Sequence, residues 1–254
     1  MSGLSGRGIE MLSSRFPRIT ALALLVFATG CGASEPEAPV GEVYETRRAS
    51  SGGSGRIYMG REIANVMSHR RMSNLDRPER EREERTDLLV DGLPLEEGDV
   101  VADIGAGIGY FSFRVAERIA DGVVLAVDIQ QEMLDEIERR KKQRGVTNVT
   151  TVLGSIENPG LPDQGVDLVF IVDSYHEFSH PREMGQAIFD ALRPGGQLII
   201  VEERAEDDIG GWGLHQMSEA QARKEITALG FTWARTETFL PQQHFMVFQK
   251  PPAD

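Results

Sequence analysis

The feature that most constrains this chain is a set of five short apolar runs spaced between residues 100 and 203. They read VVADIG (100–105), VVLAVDI (123–129), NVTTVLG (148–154), VDLVFIVD (166–173) and QLIIVEE (197–203). Runs that are apolar throughout suit strands covered on both faces. Amphipathic stretches alternate with them: YFSFRVAERIA, QEMLDEIERRKKQRG with a Gly145 stop, and PREMGQAIFDALRPGG (181–196). SEAQARKEITALG (218–230) adds a further helix with Ser218 as its N-cap. FTWARTETF and HFMVFQK close the chain as an antiparallel pair of strands. The alternation predicts an α/β fold with a doubly wound, mostly parallel, seven-stranded sheet.

Helices are also predicted upstream of the sheet. GREIANVMSHR (60–70) places Ile63, Val66 and Met67 at helical spacing. RPEREREERTDLLVDGL carries Pro78 in a first turn and Gly92 as a stop. Its opposite charges recur three and four residues apart, which fits a solvated face or a lid near a ligand.

The N-terminus has a different character, and three segments follow: 1–30 as signal or anchor, 31–56 as flexible tether, 57–254 as folded domain. ITALALLVF (19–27) follows Arg15 and Arg18 and precedes Ala28, Thr29, Gly30 and Cys31, the pattern of a secretory signal. No apolar run reaches the roughly 18 to 20 residues of a spanning helix. Ala28-Thr29-Gly30-Cys31 resembles the lipobox of bacterial lipoproteins, departing at Ala28, where such boxes usually carry Leu. That resemblance implies lipid on Cys31 and membrane association through the leader at the cell envelope. A cytosolic or cytosol-facing protein is the alternative. Residues 32–56, rich in Ser, Gly, Pro and Glu, read as the tether.

Cys31 is the only cysteine, so an internal disulfide framework and a cysteine zinc cluster are excluded. The balance of 27 Lys+Arg against 40 Asp+Glu gives a net charge of -13, which disfavours nonspecific nucleic-acid binding.

Doubly wound sheets bind ligands outside the carboxyl ends of their strands. The first run ends Asp103-Ile104-Gly105-Ala106-Gly107-Ile108-Gly109, and glycines there let backbone approach a ligand closely. The second ends in Asp128, whose carboxylate can accept both hydroxyls of a ribose. A dinucleotide loop G-x-G-x-x-G/A puts Tyr110 at its last position, too large for close helix packing. The observed D-x-G-x-G-x-G instead resembles motif I of the class I S-adenosylmethionine (SAM)-dependent methyltransferases. VVLAVDI and LRPGGQLIIVEE resemble that family's second- and fifth-strand regions. VADIGAGIGYFSFRVA with VDSYHEFSHP resembles a subgroup of small bacterial methyltransferases.

The resemblance implies SAM as cofactor and methyl transfer to an unidentified acceptor by in-line displacement. It implies cofactor contacts from Asp103, Gly105, Ala106, Gly107, Gly109, Asp128, Ile129, Ser155, Ile156 and Asp173. At residue 155 the family often has an acid. Substrate and catalytic groups follow the fourth strand, so Tyr175, His176 and Glu177 become the catalytic candidates, with His176 a general base or a pocket wall. Glu203 and Arg204 become substrate contacts. His215 and His244 read as surface or packing residues, and Trp212 as part of a loop over the site. Alternative readings are an envelope protein that binds SAM without catalysis, or an NAD(P)-dependent oxidoreductase.

Residues 176–180 read His-Glu-Phe-Ser-His, a literal H-E-x-x-H. In zinc hydrolases that spacing puts both histidines on one helix face. Here Pro181 pushes His180 out of helical geometry and no third ligand is evident, so no metal is expected.

Overall fold

The computed structural model describes residues 43–205 and 213–253. Cys31, the leader and Trp212 lie outside them. An antiparallel three-stranded sheet comes first: β1 (Tyr44–Thr46), β2 (Gly53–Tyr58) and β3 (Arg61–Ala64). Two sequence expectations are corrected here. Residues 44–46 and 53–56 belong to paired strands, not to a tether. Residues 61–64 form a strand where a helix was expected, because Gly60 at φ +98 turns the chain back and lets Ile63 and Ala64 bury.

A 3-10 segment, His69–Asp76, leads into α1 (Arg80–Glu84) and α2 (Thr86–Gly92). The predicted single helix is broken at Arg85, which is left-handed at φ 52. The main domain continues with β4 (Val100–Ile104), α3 (Tyr110–Ala116), β5 (Val123–Asp128), α4 (Gln131–Arg144) and β6 (Val149–Leu153). Then come β7 (Val166–Val172), α5 (Pro181–Ala191), β8 (Leu192–Glu203), α6 (Glu219–Thr227), β9 (Thr232–Glu237) and β10 (Gln243–Gln249). The Pro-Gly-Gly stop lies at the start of β8, so α5 ends at Ala191.

The seven-stranded sheet has the order β6-β5-β4-β7-β8-β10-β9. The first five strands in that order are parallel, and β10 runs antiparallel to both β8 and β9. Period-two alternation divides each central strand between two cores. Val101, Phe170, Ile199 and Val247 bury in one, and Ala102, Ile171, Ile200 and Met246 in the other. The chain winds one way from β4 to β5 and β6, and the other way to β7 and β8. That reversal opens a crevice at the carboxyl end of β4.

Candidate active site

The cavity lies in that crevice. Its lining residues enclose about 1120 Å³ of empty space, open mouth included, against roughly 300 to 1,000 Å³ for small-molecule sites. Gly105, Ala106 and Gly107 form one wall, with Gly105, Gly107 and Gly109 at φ +78, +54 and +77. Gly109 sits outside the lining and caps α3 instead; a Cβ on it would lie 2.9 Å from Phe113.

Asp128 ties the loop to the strand beside it. Its Oδ2 accepts from the Gly107 amide at 2.9 Å, and its Oδ1 from the Gln130 amide at 2.9 Å. Burial raises its pKa, and those two amides oppose the rise. Asp103 accepts from Ser112 Oγ at 2.6 Å, and burial lifts its carboxyl to about 7. Asp173 is held at φ 46, a conformation non-glycine residues rarely adopt. Its Oδ2 accepts from Gln243 Nε2 at 3.2 Å, and its buried Oδ1 has no hydrogen-bond partner among the described residues. Burial and the neighbouring Glu202 raise its carboxyl to about 7.

The roof comes from the segment before α1. Val66, Met67 and Leu75 line the cavity. The Gln130 side chain pins them, donating to the Met67 carbonyl at 2.9 Å and accepting from the His69 amide at 2.8 Å. Arg80 also lines the cavity, bonded to Glu84 at 2.8 Å and to the Leu75 carbonyl at 2.9 Å, with its guanidinium over Tyr110 and Phe111. Of the two readings of this charged stretch, the inward-facing one applies to Arg80 and Glu84, both buried.

These walls fit SAM on three observations. Four carboxyl groups, those of Asp103, Asp128, Asp173 and Glu177, meet one guanidinium in the lining, so acidic groups outnumber basic ones and the lining disfavours a pyrophosphate. Asp173 Oδ1 is a buried acceptor in want of a donor such as an ammonium. Ile129 and Ile156, 37% and 47% exposed, offer apolar surface for a flat base beside Ser155. The Ser155 hydroxyl closes its own turn, accepting from the Asn158 amide at 3.0 Å.

Of the catalytic candidates only Glu177 reaches the cavity wall. Tyr175 is corrected: it points into the core, where its hydroxyl donates to Glu225 at 2.9 Å. Glu225 is fully buried and also holds Arg61 of β3 through two contacts at 2.8 and 3.0 Å. His176 is buried behind the wall, its Nδ1 2.6 Å from Glu202 Oε2 and its Nε2 3.1 Å from His215 Nδ1. Burial would depress the His176 pKa, but the adjacent Glu202 carboxylate reverses the sign and raises it. For His215, half-exposed, burial and the neighbouring His176 lower it.

Glu203 and Arg204 are corrected too. Glu203 accepts from Gln216 at 3.1 Å, Arg204 donates to the Leu240 and Pro241 carbonyls, and neither lines the cavity. The functional neighbour was Glu202, one residue earlier and on the opposite face of β8. A carboxylate in phase with Leu198 and Ile200 was the signal for it. The H-E-x-x-H pair is separated as Pro181 predicts: His176 lies in a 3-10 turn (Tyr175–Glu177) and His180 is the N-cap of α5.

Comparison with known proteins agrees with this geometry. Residues 101–196 match the family model described as a methyltransferase domain. A methyltransferase-like protein of Schizosaccharomyces pombe is 31% identical over 155 residues, covering 61% of this chain and 57% of its own. A tRNA U34 carboxymethyltransferase of Desulfotalea psychrophila is 32% identical over 108 residues, covering 42% of this chain and 33% of its own. The chain thus spans between a third and two thirds of the length of such relatives. A SAM-dependent methyltransferase structure from Aquifex aeolicus shares the fold, with a TM-score of 0.66 at 24% identity over 72% of this chain and 98% of that one. Strand order and glycine loop agree with this likeness: residues 101–196 match a methyltransferase domain, and the chain shares the Rossmann-like fold of a SAM-dependent methyltransferase.

Proposed function

We propose that this protein transfers the methyl group of SAM to an acceptor that enters beside Glu177. The observation that carries the reading is the Asp128 carboxylate, bonded to the glycine loop at the cavity floor and flanked by Ile129. SAM supplies an activated methyl on a sulfonium. The glycine loop and Asp173 hold its amino-acid portion, Asp128 its ribose, and Ile129, Ser155 and Ile156 its base. The chain's further task is to align the acceptor and exclude water, and the 66–75 roof serves the second. The acidic lining argues against a nicotinamide dinucleotide. The leader motif at Cys31 supports membrane tethering, which cell fractionation of a C-terminally tagged chain tests.

Calorimetric titration with SAM and with NADH tests the cofactor. SAM binds and NADH does not, and Asp128→Ala weakens SAM about 10- to 150-fold, the equivalent of roughly 1.5 to 3 kcal/mol for a charge-assisted bond. Unchanged affinity in a folded Asp128→Ala variant removes Asp128 from the site. Transfer of radiolabel from SAM to lipid, small-molecule or protein extracts then separates an enzyme from a non-catalytic SAM-binding protein.

A further inference from the structure

We infer that His176, Glu177 and His215 bind a divalent transition metal beside the methyl-donor cavity. Two come from the 3-10 turn after β7 and one from the segment before α6, so the fold, not local sequence, assembles them. Their ligand atoms all lie within 4.8 Å of one another. His176 Nε2 and His215 Nδ1 are 3.1 Å apart, and Glu177 Oε1 is 3.9 Å from each. Nitrogen and oxygen ligands at zinc distances and tetrahedral angles stand roughly 3.3 to 3.5 Å apart. The observed spacings straddle that range, so a small side-chain adjustment closes the site.

The surroundings are built for this use. Glu202 is fully buried, and a carboxylate can only accept, so the hydrogen at 2.6 Å sits on His176 Nδ1. In the neutral ring that directs the Nε2 lone pair toward His215 and Glu177. A carboxylate behind a metal-bound imidazole is the usual outer partner, fixing both tautomer and ring orientation. Glu177 is anchored through its other oxygen, which accepts from the Met67 amide at 3.0 Å. His215 has a 59% exposed side chain, which gives an ion a route from solvent. His180 takes no part; it contacts Ser179 and Glu157.

Two imidazoles and one carboxylate suit Zn²⁺, Co²⁺, Mn²⁺ or Fe²⁺ and leave coordination positions open. Because Glu177 is shared with the cavity wall, an open position serves the acceptor side. Resting on the methyltransferase reading, this points to an acceptor with an ionisable hydroxyl. Ligation lowers the hydroxyl pKa and its proton leaves to solvent. The oxygen lone pair then forms the bond to the methyl carbon while the carbon–sulfur pair departs with sulfur. Metal binding itself does not depend on that reading.

The test uses the full-length chain, stripped with chelator and titrated with Co²⁺ and then Zn²⁺. One equivalent of Co²⁺ gives visible absorption that Zn²⁺ abolishes. His176→Ala and His215→Ala lose that signal, Glu202→Gln weakens affinity about 10- to 100-fold, and His180→Ala binds as the parent does. His215→Ala removes a half-exposed side chain, and its circular dichroism and melting serve as the control for folding. The inference is overturned if no stoichiometric Co²⁺ binds, or if uptake survives His215→Ala in a folded protein. SAM titrated in parallel keeps the two readings apart. Metal without SAM upholds this site and defeats the acceptor role, and SAM without metal defeats this inference alone.

Discussion

Glu202 Oε2 lies 2.6 Å from His176 Nδ1, and both side chains are buried. The same carboxylate accepts from the His176 backbone amide through Oε1 at 3.3 Å. One residue of β8 therefore sets both the ring and the backbone of the turn that follows β7. Removing one member of a buried pair leaves the other without compensation, at about 3 to 5 kcal/mol. Glu202→Ala lowers the unfolding free energy in urea by that amount. Glu203→Ala, exposed on the other face, changes it by less than about 0.5 kcal/mol. Equal effects at the two positions contradict the assignment of Glu202 as the structural partner.

Tyr175 is a test of direction. Its hydroxyl donates to Glu225 in the core and is absent from the cavity lining. Tyr175→Phe leaves Glu225 with Arg61 and with Gln221 at 2.7 Å, and costs about 1 to 3 kcal/mol of stability. SAM affinity stays within about twofold by calorimetry. A variant of unchanged stability with SAM binding lost returns Tyr175 to the cavity.

The sheet was readable because its strands are buried on both faces, so unbroken apolar runs such as VDLVFIVD have no other stable setting. The glycine loop and Asp128 were readable because strand ends fix where a ligand can sit. Three things were not. Ile63, Val66 and Met67 match helical spacing by coincidence, since a four-residue strand is too short to show its own period. The directions of Tyr175 and Glu203 depend on one step of chain phase, and a 3-10 turn or a strand end shifts that phase. His215 joins His176 across 39 positions, and no local pattern encodes such a meeting.

The glycine loop yields a coupling prediction. Gly105 has φ +78, and a Cβ there would stand 2.5 Å from Ser174 Oγ and 2.9 Å from Ser174 Cβ. Gly105→Ala therefore adds a collision to a backbone cost of about 1 to 2 kcal/mol. Ser174→Gly in the same chain removes the collision and leaves the backbone cost. A double-mutant cycle by urea denaturation reads a favourable coupling of about 0.5 to 3 kcal/mol. Gly60→Ala, at φ +98 with nothing within 4 Å, shows the backbone cost alone. Additive effects at 105 and 174 contradict the close approach.

Asp103 gives the pH dependence. Burial lifts its carboxyl from 3.8 to about 7. The Ser112 hydrogen bond and Arg80 pull the other way, and Asp128 adds to the rise. Between about pH 4 and pH 7 the unfolded chain has released this proton and the native state still holds it. The native state then binds more protons, so stability falls as pH rises through that window, by about 4 kcal/mol at most. Asp173, also lifted to about 7 by burial and Glu202, contributes a second loss in the same window. Asp103→Asn keeps an acceptor for Ser112 and has no proton to lose, so it abolishes the Asp103 share of the loss. Urea midpoints measured from pH 4 to pH 8 should decline less steeply in Asp103→Asn than in the parent, and the two curves should run parallel above about pH 8. Curves parallel throughout mean that Asp103 is ionised in the folded protein over the whole range.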